Sequence, residues 1–249
     1  MLKEERHQII LNEVELHNRV QLTDIAEKLV VSIDTVRRDV KELDADSKLI
    51  KVHGGAISLG FAAYSPKRNN VYALEEKISI AKKAAQLVEE NSVVLIDGGT
   101  TCLELARLLP ADLKLTCFTL SLPVAMELLH KPNIDIIFIG GQLSKDSQIT
   151  IGPNTINNLS DIKVDYSFIG TGYVDAEYGL TEFDWDIVQT KKAVIKASKK
   201  TILLCISEKL NSKHRFKTCD LNAIHSMITE LAPSDELLND FKNQGIQLL

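Results

Sequence analysis

The sequence predicts an α/β protein in two unlike parts: a small helical module closed by a hairpin, and a larger doubly wound α/β domain. Three observations carry this reading. Residues 1–59 show three short helical patterns and then a hairpin pattern. Residues 60–70, GFAAYSPKRNN, lack periodicity and contain Pro66, the mark of a linker. From residue 71 onward, Val/Ile/Leu-rich runs of strand length alternate with helical segments, as in a parallel sheet covered on both faces. The expected division is therefore 1–59, a linker at 60–70, and 71–249.

Bulk properties set limits on function. The chain has 249 residues, 45% hydrophobic and 25% charged, an ordinary globular balance with enough apolar mass for a sizeable core. No apolar run reaches membrane-spanning length, and MLKEERHQII lacks the apolar centre of a secretory signal, so a cytoplasmic protein without a membrane partner is expected. Cys102, Cys117, Cys205 and Cys219 form no CxxC pair and no zinc-type cluster with histidine. They read as reduced, buried residues, and neither metal nor cofactor is expected. Net charge is −5, and residues 1–55 hold nine Lys/Arg against eleven Asp/Glu. Nucleic-acid binding must therefore rest on local placement of charge rather than on the total.

Helix one spans about Lys3 to Glu15, with Ile9, Ile10 and Val14 on its apolar face. Helix two begins at Thr23 as N-cap, carries Asp24 in its first turn, buries Ile25, Ala26 and Leu29, and stops at Val30–Val31. Helix three starts from Ser32 as N-cap. Ile33, Val36, Val40 and Leu43 repeat at steps of three, four and three, one face of a helix. The opposite face carries Asp34, Thr35, Arg37, Arg38 and Lys41. A short helix, a tight turn and a second helix with a polar, partly cationic face is a helix-turn-helix pattern. A plain bundle with Asp34 paired to Arg38 would show the same periodicity. The next segment favours DNA binding. LIKVHGGAISL (49–59) alternates apolar and polar positions about Gly54–Gly55, a hairpin that would form a wing. Lys51 and His53 would then lie beside a DNA backbone, although a purely structural role for His53 is an equal reading. Candidate DNA contacts are Ser32, Asp34, Thr35, Arg37, Arg38, Lys41, Lys51 and His53.

In the second part, strands are expected at 92–97, 113–120, 134–140, 164–170, 201–207 and 224–230. Helices are expected near 74–90, 101–109, 122–130, 153–159, 185–198 and 234–243. Open α/β sheets bind ligands beyond the carboxyl ends of their strands. The first such end runs Asp97-Gly98-Gly99-Thr100-Thr101 and then into a helix, whose free N–H groups suit an anion. Glycines at a strand-to-helix turn also serve geometry alone. The other ends bring Ser121, then Gly140–Gly141, then Gly170-Thr171-Gly172. Three glycine-bearing ends on one sheet point to a shared pocket. Lys191 and Lys209 are candidate cations for it, although each alone reads as a solvated surface lysine.

The stretch SIDTVRRDVKELDADSKLIKVHGGAIS resembles the signature of the DeoR family of bacterial sugar-catabolism regulators, with TVRRD and VHGGA at the family's separation. EEKISIAKKAAQLV, LIDGGTT, LSLPVA, IGGQL, IGP and ILLCISEKL resemble the family's sensor domain. The resemblance implies a winged helix-turn-helix followed by a sensor fold similar to ribose-5-phosphate isomerase and the coenzyme A transferases. It implies a transcriptional repressor of a sugar-catabolism operon, binding double-stranded operator DNA and modulated by a phosphorylated sugar. The sugar phosphate would sit at Asp97-Gly98-Gly99-Thr100-Thr101, with Lys191 and Lys209 where the family has lysines. It also implies a homo-oligomer, at least a dimer. The chain departs from the pattern at Val30, where glycine is usual, and at Leu120, Gly172, Gln189 and Ile206, where polar or acidic residues are usual. The alternative is an isomerase-type enzyme with an appended helix-turn-helix. Isomerisation needs a positioned base, and these losses leave Asp97 as the acid at the strand ends, so a non-enzymatic regulator is preferred. A nucleotide-binding reading finds no GxGxxG after the first strand and no GxxxxGK[ST].

Overall fold

A computed structural model describes residues 1–62 and 71–249, with the backbone alone at 61–62. It divides into two compact units, Met1–Tyr72 and Ala73–Leu249. The first unit contains α1 (Lys3–His17), β1 (Arg19–Gln21), α2 (Leu22–Leu29), α3 (Ile33–Ala45), β2 (Ile50–Val52) and β3 (Gly55–Ile57), then a single turn, α4 (Leu59–Ala62). Most of the linker expected at 60–70 lies outside the described residues. The strands form an antiparallel sheet in the order β1-β3-β2. The three helices and this sheet enclose Ile10, Val14, Val20, Ile25, Leu29, Val36, Val40, Leu43 and Leu49.

Three sequence expectations change here. Helix α2 starts one residue before Thr23, which is inside it, and its cap Gln21 contributes no side-chain bond. Ile33 is 41% exposed and is not part of the docking stripe, whereas Asp39 is only 3% exposed. An acid is tolerated there because Arg6 of α1 meets it with two bonds, Nε to Oδ2 at 2.8 Å and Nη2 to Oδ1 at 3.1 Å. His7 Nε2 lies 3.3 Å from the same Oδ1. The hairpin turn falls at His53–Gly54, and Gly55 already pairs with Val52 and Gln21.

The second unit runs α5 (Leu74–Ala85), β4 (Val93–Ile96), α6 (Thr100–Leu108), β5 (Leu115–Thr119), α7 (Leu122–Leu128), β6 (Ile134–Phe138), β7 (Gln142–Leu143), β8 (Thr150–Ile151), α8 (Pro153–Ser160) and β9 (Val164–Ile169). It continues with β10 (Tyr173–Asp175), β11 (Gly179–Glu182), α9 (Trp185–Ala197), β12 (Ser198–Leu204), β13 (Phe216–Cys219), β14 (Ser226–Ile228), α10 (Asn239–Asn243) and β15 (Gln247–Leu248). Seven parallel strands form the main sheet, in the order β15-β14-β12-β9-β4-β5-β6. Alternate residues feed two cores. Leu95, Ile169, Leu203 and Met227 pack with Leu159, Ile187 and Val194 of α8 and α9. Val94, Ile96, Phe168, Ile202 and Ile228 on the other face are equally buried, as are Ile80, Ala84 and Leu105 of α5 and α6. The sheet is thus doubly wound.

The apolar runs mark the central strands well and the margins less well. Strand β6 is an edge, with Ile137 and Phe138 about two-fifths exposed at 40% and 41%, so its apolar run is not covered on both sides. Strand β12 begins at Ser198, directly off α9, rather than at 201. The last expected helix is a 3-10 turn, Glu236–Leu238, leading into α10, and α5 ends at Ala85 rather than near 90. A three-stranded antiparallel sheet, β10-β11-β13, and the hairpin β7–β8 have no counterpart in the sequence reading. All four cysteines are free thiols, three buried and Cys219 half-buried. Among the described residues, no helix is long and apolar enough to cross a membrane, and no group of three or more His, Cys, Asp or Glu is arranged to hold a metal.

The strand order decides where a ligand can bind. From β4 the chain winds outward through β5 and β6, while β9, β12, β14 and β15 continue on the other side. The crevice between neighbouring strands whose connections depart in opposite directions lies at the carboxyl ends of β4 and β9.

Candidate functional site

In the first unit, Ser32 starts α3. Its Oγ accepts the Thr35 N–H at 3.2 Å and lies 2.9 Å from Thr35 Oγ1. Just before it, Val30 ends α2 in the left-handed region, φ 54 and ψ 47. The turn therefore keeps the geometry that glycine suits and holds a β-branched residue in it under strain. With Val36, Val40 and Leu43 turned inward, Ser32, Asp34, Arg37, Arg38 and Lys41 are exposed and Thr35 is half-buried. Asp34 pairs with Arg37, not with Arg38. Among the described residues Arg38 and Lys41 make no ion pair. Lys51 and His53 are exposed on the hairpin, and the Lys51 N–H donates to Asp44 Oδ1 at 2.9 Å, tying the hairpin to the end of α3.

In the second unit, the turns after β4 and β9 touch. The Asp97 N–H donates to Phe168 O at 3.0 Å, and a Cβ built on Gly170 would lie 3.7 Å from Gly98 O. Gly98 has no room for a side chain, since a Cβ there would stand 2.3 Å from Ile149 Cγ2 and 3.7 Å from Ser121 Oγ. Gly99, at φ 101, turns the chain into α6 and leaves the helix start without a side-chain cap. Thr100 and Thr101 are the first two residues of that helix. Ser121, buried after β5, caps α7. Gly140 and Gly141 stand apart, beyond the edge strand. Gly140 O accepts from Thr155 Oγ1 at 3.2 Å, and a Cβ on Gly141 would meet that hydroxyl at 2.0 Å. The lack of a side chain at Gly141 serves close packing on α8, whereas a Cβ on Gly140 would meet nothing within 4 Å.

Both candidate lysines reach the end of β9. Lys191 Nζ donates to Gly170 O at 2.8 Å, and Lys209 Nζ donates to Thr171 O at 2.9 Å. Neither is a solvated surface lysine: they are 7% and 8% exposed. Lys209 rides on a 3-10 turn, Ser207–Lys209, pinned by Glu230, whose Oε2 accepts the Ser207 N–H at 3.0 Å. The sequence reading missed Glu182, an acid only 3% exposed that forms an ion pair with Lys191 and accepts the Gly172 N–H at 2.9 Å. It lies on β11, too short and mixed in polarity to read as a strand. The spacing of nine residues from Lys191 does not announce a contact. The site therefore holds a second carboxylate beside Asp97, and the substitutions at Gly172, Gln189 and Ile206 do not strip it of acids.

These buried charges shift one another. Burial raises the Asp97 carboxyl above its usual range, against the opposing pull of Lys191 and of a bond from Gly98. Burial would depress Lys191, but the carboxylates of Glu182 and Asp97 more than offset it and hold its ammonium above the ordinary value. Among the described residues Lys209 has no such carboxylate bonded to it, and burial brings it below the ordinary lysine value. Two buried ammoniums, two buried carboxylates and an uncapped helix start at one switch point form an arrangement suited to a small polar anion.

Comparisons with known proteins match two stretches of the chain to separate domain profiles. A profile described as the DeoR-like helix-turn-helix domain matches residues 6–60, and one described as the DeoR C terminal sensor domain matches residues 73–231. The HTH-type transcriptional repressor GlcR of Bacillus subtilis (strain 168) is 32% identical over 253 residues, covering 100% of this chain and 96% of the relative. The glycerol-3-phosphate regulon repressor of Escherichia coli (strain K12) is 30% identical over 250 residues, covering 100% and 99%. Among solved structures, ribose 5-phosphate isomerase a from Methanocaldococcus jannaschii is 20% identical, with a TM-score of 0.40 over 54% of this chain and 53% of the other, a likeness too slight to argue from. The match to both DeoR domain profiles, together with full-length relatives at 30% identity and above, places this chain in the DeoR family of helix-turn-helix transcriptional regulators.

Proposed function

We propose that this protein is a transcriptional repressor whose first unit binds operator DNA and whose second unit senses a phosphorylated sugar. The observation that carries the sensor half is the convergence of the Asp97–Thr101 turn, the Gly170–Gly172 turn, Lys191 and Lys209 on one switch point. The phosphate is assigned to the start of α6, where Gly99, Thr100 and Thr101 present backbone N–H groups beside Gly98, whose own N–H is given to Asp97, with Lys209 nearby. Ser121 stands beside Gly98 at the same end. The DNA face is assigned to Ser32, Thr35, Arg37, Arg38 and Lys41 of α3, with Lys51 and His53 on the wing against phosphates. Relatives named for repression and for a glycerol-3-phosphate regulon support both halves. A lone helix-turn-helix reads one half-site, so the working form is assigned as a homo-oligomer, at least a dimer, acting in the cytoplasm where bacterial DNA is found. The segment at 60–70 is assigned as the linker between the two functions. An isomerase is not favoured, since the relatives matched along the whole chain are named as regulators.

The DNA assignment is tested by titrating a fragment upstream of the protein's own gene. Arg38→Ala is expected to weaken binding roughly tenfold or more, the loss of one good base or phosphate contact. Arg37→Ala should weaken it less, because Arg37 must first leave Asp34. Folded variants that both bind like wild type would refute the assignment.

A further inference from the structure

Strand β11 delivers the Glu182 carboxylate against the loop after β9, where Oε1 takes both the Gly172 N–H and the Lys191 ammonium. Among the described residues Oε2 accepts no hydrogen bond. That second oxygen lies over Gly172, 2.6 Å from where a Cβ would stand. The carboxylate is thus seated in a space that exists because residue 172 has no side chain. A carboxylate held this far from water favours donors and repels anions. The cations of the site divide accordingly. Lys191 is committed to Glu182 and to Gly170 O, whereas among the described residues the Lys209 ammonium is bonded only to a carbonyl, and the start of α6 has no side-chain cap. An anion is favoured at α6 and Lys209 and opposed at Glu182. Hydroxyl groups donate, and Glu182 Oε2 and Asp97 are placed to accept.

Building on the effector reading above, we infer that Glu182 is the specificity-determining residue of this pocket, receiving the hydroxyl-bearing end of a phosphorylated polyol or sugar and, by neutralising Lys191, keeping bare phosphate from being preferred. One carboxylate position is reachable by two backbone routes, from residue 182 on β11 or from residue 172 on the loop. Gly172 is not in the left-handed region, so an aspartate there is not strained by its backbone.

The test measures dissociation constants by thermal shift on the full chain. The probes are inorganic phosphate, glycerol 3-phosphate, ribose 5-phosphate and fructose 6-phosphate. For wild type, at least one phosphorylated polyol or sugar should bind more tightly than inorganic phosphate. In Glu182→Ala this preference should fall about tenfold, as one buried hydroxyl–carboxylate bond is lost and Lys191 is freed for phosphate. In Gly172→Asp/Glu182→Ala the preference should return, which a merely structural role for Glu182 would not produce. Should Glu182→Ala fail to fold, Glu182→Gln, which keeps the acceptor for Gly172 N–H but lacks the charge, is expected to lose the preference in the same way. A preference unchanged in the folded Glu182 variants overturns the inference alone. Absence of any response in wild type overturns the effector reading and the inference with it.

Discussion

At Val30 the chain enters α3 through a left-handed residue that a β-branched side chain resists, and 90% of that residue is exposed, so little packing compensates. Val30→Gly should therefore raise the stability of the first unit by about 1 kcal/mol, read as an upward shift in its melting transition. A strain-free turn would instead show the loss that glycine's greater unfolded-state entropy causes. Asp39 makes the opposite kind of contribution. Burial raises its carboxyl, but the bonds and charge of Arg6, with His7, more than offset this and hold it below its ordinary 3.8. A depressed carboxyl stabilises the folded state above the unfolded value, and that contribution is lost as pH falls through the folded value. Acid titration should thus destabilise the first unit below about pH 4, and Asp39→Asn should flatten that limb while lowering stability at neutral pH. Chemical denaturation between pH 3 and 7 measures both. An unchanged acid limb in Asp39→Asn would show that other carboxyls set it.

Among the elements, the hairpin shows how neighbouring glycines differ. Gly54, at φ +72 in the turn, has open space around it, whereas a Cβ on Gly55 would lie 2.2 Å from the carbonyl oxygen of Val20 on β1. Gly54→Ala should cost about 1–2 kcal/mol, the left-handed penalty alone. Gly55→Ala should cost more and should also weaken DNA binding, because β3 must part from β1 and move the wing. Equal melting shifts for the two variants would contradict the assignment of the turn. The pair also shows what a sequence makes legible. Alternation around Gly54–Gly55 locates the hairpin, but only the third strand, β1, reveals why residue 55 is glycine. The parallel strands are legible because burial on both faces writes itself as Val/Ile/Leu runs, and β4 and β9 lead to the switch point by their glycines. Strands β10, β11 and β13 are three or four residues long and hold Asp175, Glu182 and Lys217, so nothing in their pattern separates them from loop. Glu182 was hidden for that reason. Ile33 misleads in the reverse sense: its spacing fits the stripe, but the first residue of a helix points where the preceding turn directs it, here toward solvent.

At the scale of the whole molecule, a regulator of this kind requires that occupancy of the second unit change what the first unit does. Such couplings are typically five- to 150-fold in affinity. The required asymmetry is chemical. The pocket is proposed to receive a phosphate at the start of α6, so the unphosphorylated parent of an active ligand should have almost no effect. Thr100→Asp places a carboxylate where that phosphate belongs. A negative side chain in the first turn of a helix is itself favourable, so the variant should fold. The most direct measurement of the central claim is therefore a titration of upstream DNA by wild type and by Thr100→Asp, each with a phosphorylated sugar and with the same sugar lacking phosphate. The account predicts that only the phosphorylated form shifts the wild-type binding curve and that Thr100→Asp binds DNA but does not respond. Equal shifts from the sugar and its phosphate, or a normal response from Thr100→Asp, would contradict it.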